Sequence, residues 1–109
     1  MWVHLLNQLI LVASIVEKSV VRFTPAGIPI TTAILLHESK QEQAGNQRQI
    51  EFEISALAAG EISKRFLEIE LGTPMIFTGF LARKNRNSKS LIFHITAFEQ
   101  LGNEENLLD

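Results

Sequence analysis

Residues 9–16 are apolar on both alternating faces: Leu9, Leu11, Ala13 and Ile15 fall on one side of an extended chain, Ile10, Val12 and Val16 on the other. Successive side chains of a strand point to opposite faces, so a strand with one wet face carries a polar residue at every second position. This pattern predicts a strand covered twice, once by its own core and once by something else. In so small a domain, a second copy of the chain can supply that cover. Residues 17–24 continue on an amphipathic path that includes Lys18 and Arg22.

The next punctuation is Thr24-Pro25-Ala26-Gly27-Ile28-Pro29. Pro25 sets φ at the first central position of a turn, and Gly27 supplies the freedom to leave it. Residues 30–38, rich in β-branched Ile30, Thr31, Thr32 and Ile34, predict a second strand. Residues 39–47 are polar and contain Gly45, and they read as a mobile hairpin loop. Alternation returns over 48–55, with Ile50, Phe52 and Ile54 opposed to Glu51 and Glu53.

Over residues 57–69 the period changes: Ile62, Phe66 and Ile69 recur at helical spacing, with Glu61, Lys64, Arg65 and Glu68 opposite. The apolar trio reads as a plug for the end of a barrel, and Lys64 and Arg65 as dressing for the exposed side. Residues 73–82 predict a fourth strand, whose Gly79 signals a bulge or a close backbone approach. Residues 91–98 predict a fifth. Phe93 shares a face with Leu91 and Ile95 and reads as core, as does Phe80 on its mostly apolar strand; Phe98 falls on the His94 and Thr96 face.

Three strands, a helix and two strands is the order of an all-β OB-fold, a five-stranded Greek-key barrel with one helix between strands 3 and 4. In that fold the face of strands 2 and 3 and the loops 1–2 and 4–5 bind oligonucleotides. The expected organisation is a leader over 1–6, the barrel domain over 7–101 and an acidic tail over 102–109.

Composition narrows the picture. At 109 residues the chain forms one domain. There is no cysteine, which excludes disulfides, thiolate catalysis and Cys-based zinc sites, and suits a reducing cytosol. The apolar opening lacks the early Lys or Arg of a secretory signal, since its first base is Lys18. Asn7 and Gln8 interrupt the run of about 18 apolar residues that a membrane span requires. The expectation is a cytoplasmic protein with no membrane partner.

The net charge is −2, yet four of the ten Lys and Arg residues crowd into Arg83-Lys84-Asn85-Arg86-Asn87-Ser88-Lys89, with no acid among them. A basic loop held between two strands presents charge to a polyanion without burying it. Phosphate backbones fit, because each neutralised phosphate releases condensed counterions. Arg83, Lys84, Arg86 and Lys89 are therefore the leading candidates for contact with a phosphate backbone. Lys18, Arg22 and Arg48, on strands 1 and 3 of the predicted barrel, join them, each weighed against a surface ion pair. Lys40 is flanked by Glu38 and Glu42 and is a weaker candidate.

No catalytic constellation is legible. His4, His37 and His94 show no ligand spacing, Asp occurs only as Asp109, and there is no Gly-rich phosphate loop or nucleophile elbow. His37 reads as structural. A non-enzymatic protein with no catalytic residue, metal, cofactor or small-molecule substrate is expected.

The turn Thr24-Pro25-Ala26-Gly27-Ile28-Pro29, the strand end Leu36-His37-Glu38-Ser39, the following Gln41-Glu42-Gln43-Ala44-Gly45, and Gly79-Phe80-Leu81 leading into a basic loop resemble the bacterial primosomal replication protein N family, called PriB. The likeness spans roughly residues 7–101. What it implies is a homodimeric OB-fold protein of replication restart that binds single-stranded DNA and the primosomal helicase, along with other primosome proteins. The family's dimer contact involves the first strand, which makes Leu9, Ile10, Leu11 and Val12 the expected interface. One departure stands out: some members carry a Trp on the DNA-facing side of strand 3 where this chain has Glu51. Base–aromatic stacking is worth about 1–3 kcal/mol per base, so binding here should lean on the loops. That leaves two alternatives open, a protein–protein module that barely touches DNA and an RNA-binding OB protein.

Overall fold

A computed structural model describes residues 5–101 of the chain. His4, most of the expected leader and the whole acidic tail lie outside the described residues. The alternating segments become β1 (Leu9–Lys18), β2 (Arg22–Phe23), β3 (Pro29–Gln43), β4 (Asn46–Ala59), β5 (Met75–Arg83) and β6 (Leu91–Gln100), with α1 (Glu61–Leu67) between β4 and β5. The strands follow one another in the order β1-β5-β6-β4-β3-β2, and a β1–β3 pairing closes five of them into a barrel. All pairs are antiparallel except β4–β6. This is the expected OB-fold. The two-residue β2 is additional, so the helix still follows the third of the five long strands.

Closure depends on β1 changing partners. Its residues 9–13 pair with β5 and its residues 14–18 with β3, with a bulge at Val16 bending the strand between Ile15 and Glu17. Inward side chains from every long strand meet in the core, where Ile15, Leu35, Phe77 and Phe93 are fully buried. Phe66 of α1 is equally buried, and Ile62 and Ile69 pack with it as the predicted plug.

Five local expectations need correction. Residues 39–47 are not a loop: β3 and β4 pair without interruption up to Gln43 opposite Asn46, around the turn Ala44-Gly45. Both turn residues have positive φ, 54° and 80°, the geometry whose twist matches paired strands. A two-residue turn of that hand carries polar strands into a ladder that their own β propensity would not start. Residues 57–59 belong to β4 rather than the helix, and Arg22 lies on β2 rather than on the first strand.

The other two concern β5 and β6. Gly79 does mark the predicted irregularity: register shifts between Thr78 and Gly79, leaving Thr96 of β6 unpaired. A Cβ at Gly79 would collide with the His94 carbonyl, so the missing side chain is what lets β6 come close. The extra residue reverses the alternation beyond it. Phe98 therefore turns inward and packs edge-on against Phe66, under the Arg65 guanidinium. Phe80, by contrast, points out of the barrel and is 39% exposed, while Leu81 beside it packs on the core.

Candidate nucleic-acid interface

Strand alternation that fills the core with odd-numbered β3 residues leaves Thr32 and Ile34 on the outer surface. Ser55 of β4 lies opposite Ile34, and Ile92 of β6 lies on the same outer face. These side chains form the floor of a groove of about 600 Å³. Glu17, Ser19, Val20 and Arg22 line it from the connection between β1 and β3, and Lys84, Ser90 and Leu91 line it from the β5–β6 loop. The groove thus runs between the two loops that the fold predicts as binding elements, with one cation from each.

The first loop is held in place by its own hydroxyls. Ser19 donates its backbone N–H to the Thr32 carbonyl (2.9 Å), and the Ser19 and Thr32 hydroxyls lie 2.8 Å apart. The Pro25 turn closes through Gly27 N–H to the Thr24 carbonyl (2.8 Å) and Ile28 N–H to the Thr24 hydroxyl (3.1 Å). The second loop is pinned at its neck by Lys84 N–H to the Ser90 carbonyl (2.9 Å), and folded by Asn85 and Ser88, whose side-chain oxygens accept from the Asn87 and Ser90 amides. Neutral side chains shape both loops and leave the bases unspent.

Arg83, Lys84, Arg86 and Lys89 are all exposed. Among the described residues the one ion pair is Lys64 with Glu61, at 3.7 Å on the helix surface, so none of the four loop cations is neutralised by a neighbour. Arg22 and Lys84 face the same groove.

The remaining two candidates stand elsewhere. Lys18 places its ammonium 2.6 Å from both the Leu67 and Ile69 carbonyls, where it caps the end of α1. Those carbonyls have no partner within the helix, and the positive charge complements the helix terminus. Arg48 shares the face of Ile50 and Phe52, opposite to that of Ser55, and donates to the Gln43 side-chain oxygen at 2.6 Å. Neither lines the groove. The groove floor itself (Ile34, Ser55, Ile92) escaped sequence reading because it is assembled from three strands whose pairing no local pattern specifies.

Beyond the groove, the same outer face of the hairpin turns acidic. Glu38 pairs with Glu51, Glu53 is exposed next to it toward Ser55, and Lys40 is the one base among them. His37 sits on the inner face, where its Nδ1–H donates to the Val12 carbonyl (2.6 Å) and its Nε2 meets the Ser39 hydroxyl (2.8 Å). A carbonyl can only accept, so Nδ1 must carry a proton. The structural reading of His37 fits these contacts.

The expected interface residues divide by face. Leu9 and Leu11 point inward and pack against the core, whereas Ile10 (61%) and Val12 (40%) are exposed. Residues 9–13 of β1 pair with β5 on one edge, and among the described residues no strand covers the other.

Comparison with known proteins places this geometry among relatives. Residues 7–97 match the family described as "another single-strand binding protein family". The replication restart protein PriB of Nitrosomonas europaea is 42% identical over 82% of this chain and 82% of its own length. That of Neisseria meningitidis serogroup B is 40% identical over 75% and 82%. Among solved structures, PriB of Ralstonia solanacearum superposes with a TM-score of 0.82 at 42% identity, covering 89% of this chain and 99% of that one. The single-stranded DNA-binding protein of Thermus aquaticus shares the fold, with a TM-score of 0.69 at 21% identity over 88% of this chain and 50% of that one.

Proposed function

The chain belongs to the replication restart protein PriB family, and we propose that it is a non-enzymatic adaptor of the primosome that holds single-stranded DNA by its backbone. The observation that carries this reading is the groove lined by Arg22 and Lys84, with three more exposed cations at the end of β5 and in the loop after it, Arg83, Arg86 and Lys89. A flexible polyanion laid along such a groove releases counterions at each cation it meets, and a floor of Ile34 and Ile92 beside the Thr32 and Ser55 hydroxyls accommodates the sugars and bases it carries. Lys18 and Arg48 take no part in this contact, because each is engaged away from the groove.

The protein acts as a homodimer in the cytoplasm. Two β1 strands meet along their uncovered edges, and Ile10 and Val12 of each copy bury one another's apolar surface. Two weak sites on one dimer then gain avidity on a strand long enough to reach both.

The acidic hairpin face favours a second role beside the first. Glu38, Glu51 and Glu53 repel phosphate and attract a basic protein surface, which suits docking of the primosomal helicase on the hairpin while the loops keep the DNA. Separate titrations of a labelled single strand, the matching duplex, an RNA of the same sequence and the purified helicase test the reading. It expects single-stranded DNA and helicase to bind, with duplex much weaker. Preference for RNA would assign the groove to the 2′-hydroxyl instead. Helicase binding without any single-strand binding would reduce the protein to an interaction module.

A further inference from the structure

Phe80 and His94 stand opposite each other on β5 and β6, and both point out of the barrel. Their rings are parallel to within 2°, with centroids 4.9 Å apart. Phe80 is 39% exposed and His94 half-buried, so the pair forms a small aromatic shelf on the outer face of β5 and β6. The shelf is fixed from beneath: Leu81 and Phe93 pair on the inner side of the same two strands, and Gly79 allows the strands their close approach.

Its position ties it to the groove. Ile92, which lines the groove, lies two residues before His94 on the same face of β6. Ala82 lies two residues beyond Phe80 on the same face of β5 and opposite Ile92, and the strand then runs into Arg83 and Lys84. A strand of DNA whose phosphates meet those cations passes the shelf within a few residues' length.

We infer that the Phe80–His94 pair is a docking shelf for one unstacked base of the bound strand. The inference rests on the single-strand reading of the groove and names where that binding gains the stacking that Glu51 cannot provide. Each ring already turns one face to the other, so a nucleobase extends the stack on the outward face of Phe80, and its phosphate is drawn to the adjoining cations. Stacking of this kind is tolerant of sequence, because every base has such a face. Glu51 belongs to a different part of the surface, at the acidic hairpin, so its carboxylate does not obstruct the shelf.

The test compares a labelled oligodeoxythymidylate with an abasic strand of equal length, using wild-type protein and Phe80→Leu, which keeps an apolar side chain and removes the ring. Wild type should prefer the base-bearing strand. Phe80→Leu should bind that strand about 5- to 150-fold more weakly, with unchanged affinity for the abasic strand and an unchanged salt dependence. Equal affinity of wild type and variant for oligodeoxythymidylate, or an equal loss on both strands, would overturn the shelf while leaving the cationic groove standing. If wild type binds neither strand, the single-strand reading itself falls and the shelf falls with it. Photocrosslinking of the unaltered protein to a 5-iododeoxyuridine strand gives an independent answer. Adducts on Phe80 or His94 support the shelf, and adducts confined to other residues refute it.

Discussion

Glu38 lies directly opposite Glu51 across the β3–β4 ladder, and both carboxylates are exposed on the face that leads to the groove. Like charges facing each other across a strand pair destabilise it by a few tenths of a kcal/mol to about 1 kcal/mol, and they repel a passing phosphate by a similar amount. Glu51→Gln should therefore tighten oligodeoxythymidylate binding about 2- to 5-fold at low salt and leave the fold intact. Anisotropy titration checks this; unchanged affinity would mean that the strand does not approach the hairpin.

Lys18 makes a contrasting prediction. Its ammonium donates to two carbonyls at the end of α1, and a hydrogen bond from a charged group is worth about 1.5–3 kcal/mol. Lys18→Met keeps the aliphatic stem and loses the donors. Chemical denaturation should report a loss of about 1–3 kcal/mol, with single-strand affinity unchanged in the folded protein. A drop in affinity without a drop in stability would return Lys18 to the DNA contacts.

Ala44 occupies the first position of the two-residue hairpin turn with φ of 54°, a conformation that costs an L-residue other than Asn or Gly about 1 kcal/mol. Ala44→Asn should stabilise the protein by about 0.5–1 kcal/mol in the same denaturation experiment. Destabilisation would show that Ala44 has a packing role that outweighs its backbone strain.

These residues also show what the sequence makes legible. Faces are readable where the pattern is local: Ile50, Phe52 and Ile54 share one side of β4, although of these Ile54 packs on the core and Phe52 stays 39% exposed, and Phe66 recurs at helical spacing with Ile62 and Ile69. The basic loop and the irregularity at Gly79 are readable for the same reason. The hairpin over 39–47 is not, because two residues with positive φ impose pairing on polar segments. Phe98 and Phe80 are misplaced for different causes: the bulge at Thr96 reverses alternation along β6, and an apolar strand does not declare which face is wet. Lys18 finds its partner 49 and more residues away, beyond the reach of any local pattern.

The outward apolar half of β1 predicts association. Ile10→Lys combined with Val12→Lys should convert a dimer to a monomer in sedimentation velocity, with the far-ultraviolet spectrum unchanged, because both side chains lie outside the core. A wild-type protein that sediments as a monomer would contradict the edge-to-edge pairing of β1.

The salt dependence of single-strand binding bears most directly on the cationic groove. Each phosphate neutralised on a single strand contributes about 0.7 to the slope of log affinity against log salt. Replacing Arg83, Lys84, Arg86 and Lys89 together by Ala should reduce the magnitude of the wild-type slope by about 3 and weaken binding at low salt by about 100-fold or more. A variant that keeps the wild-type slope and affinity would show that DNA is held somewhere other than this loop.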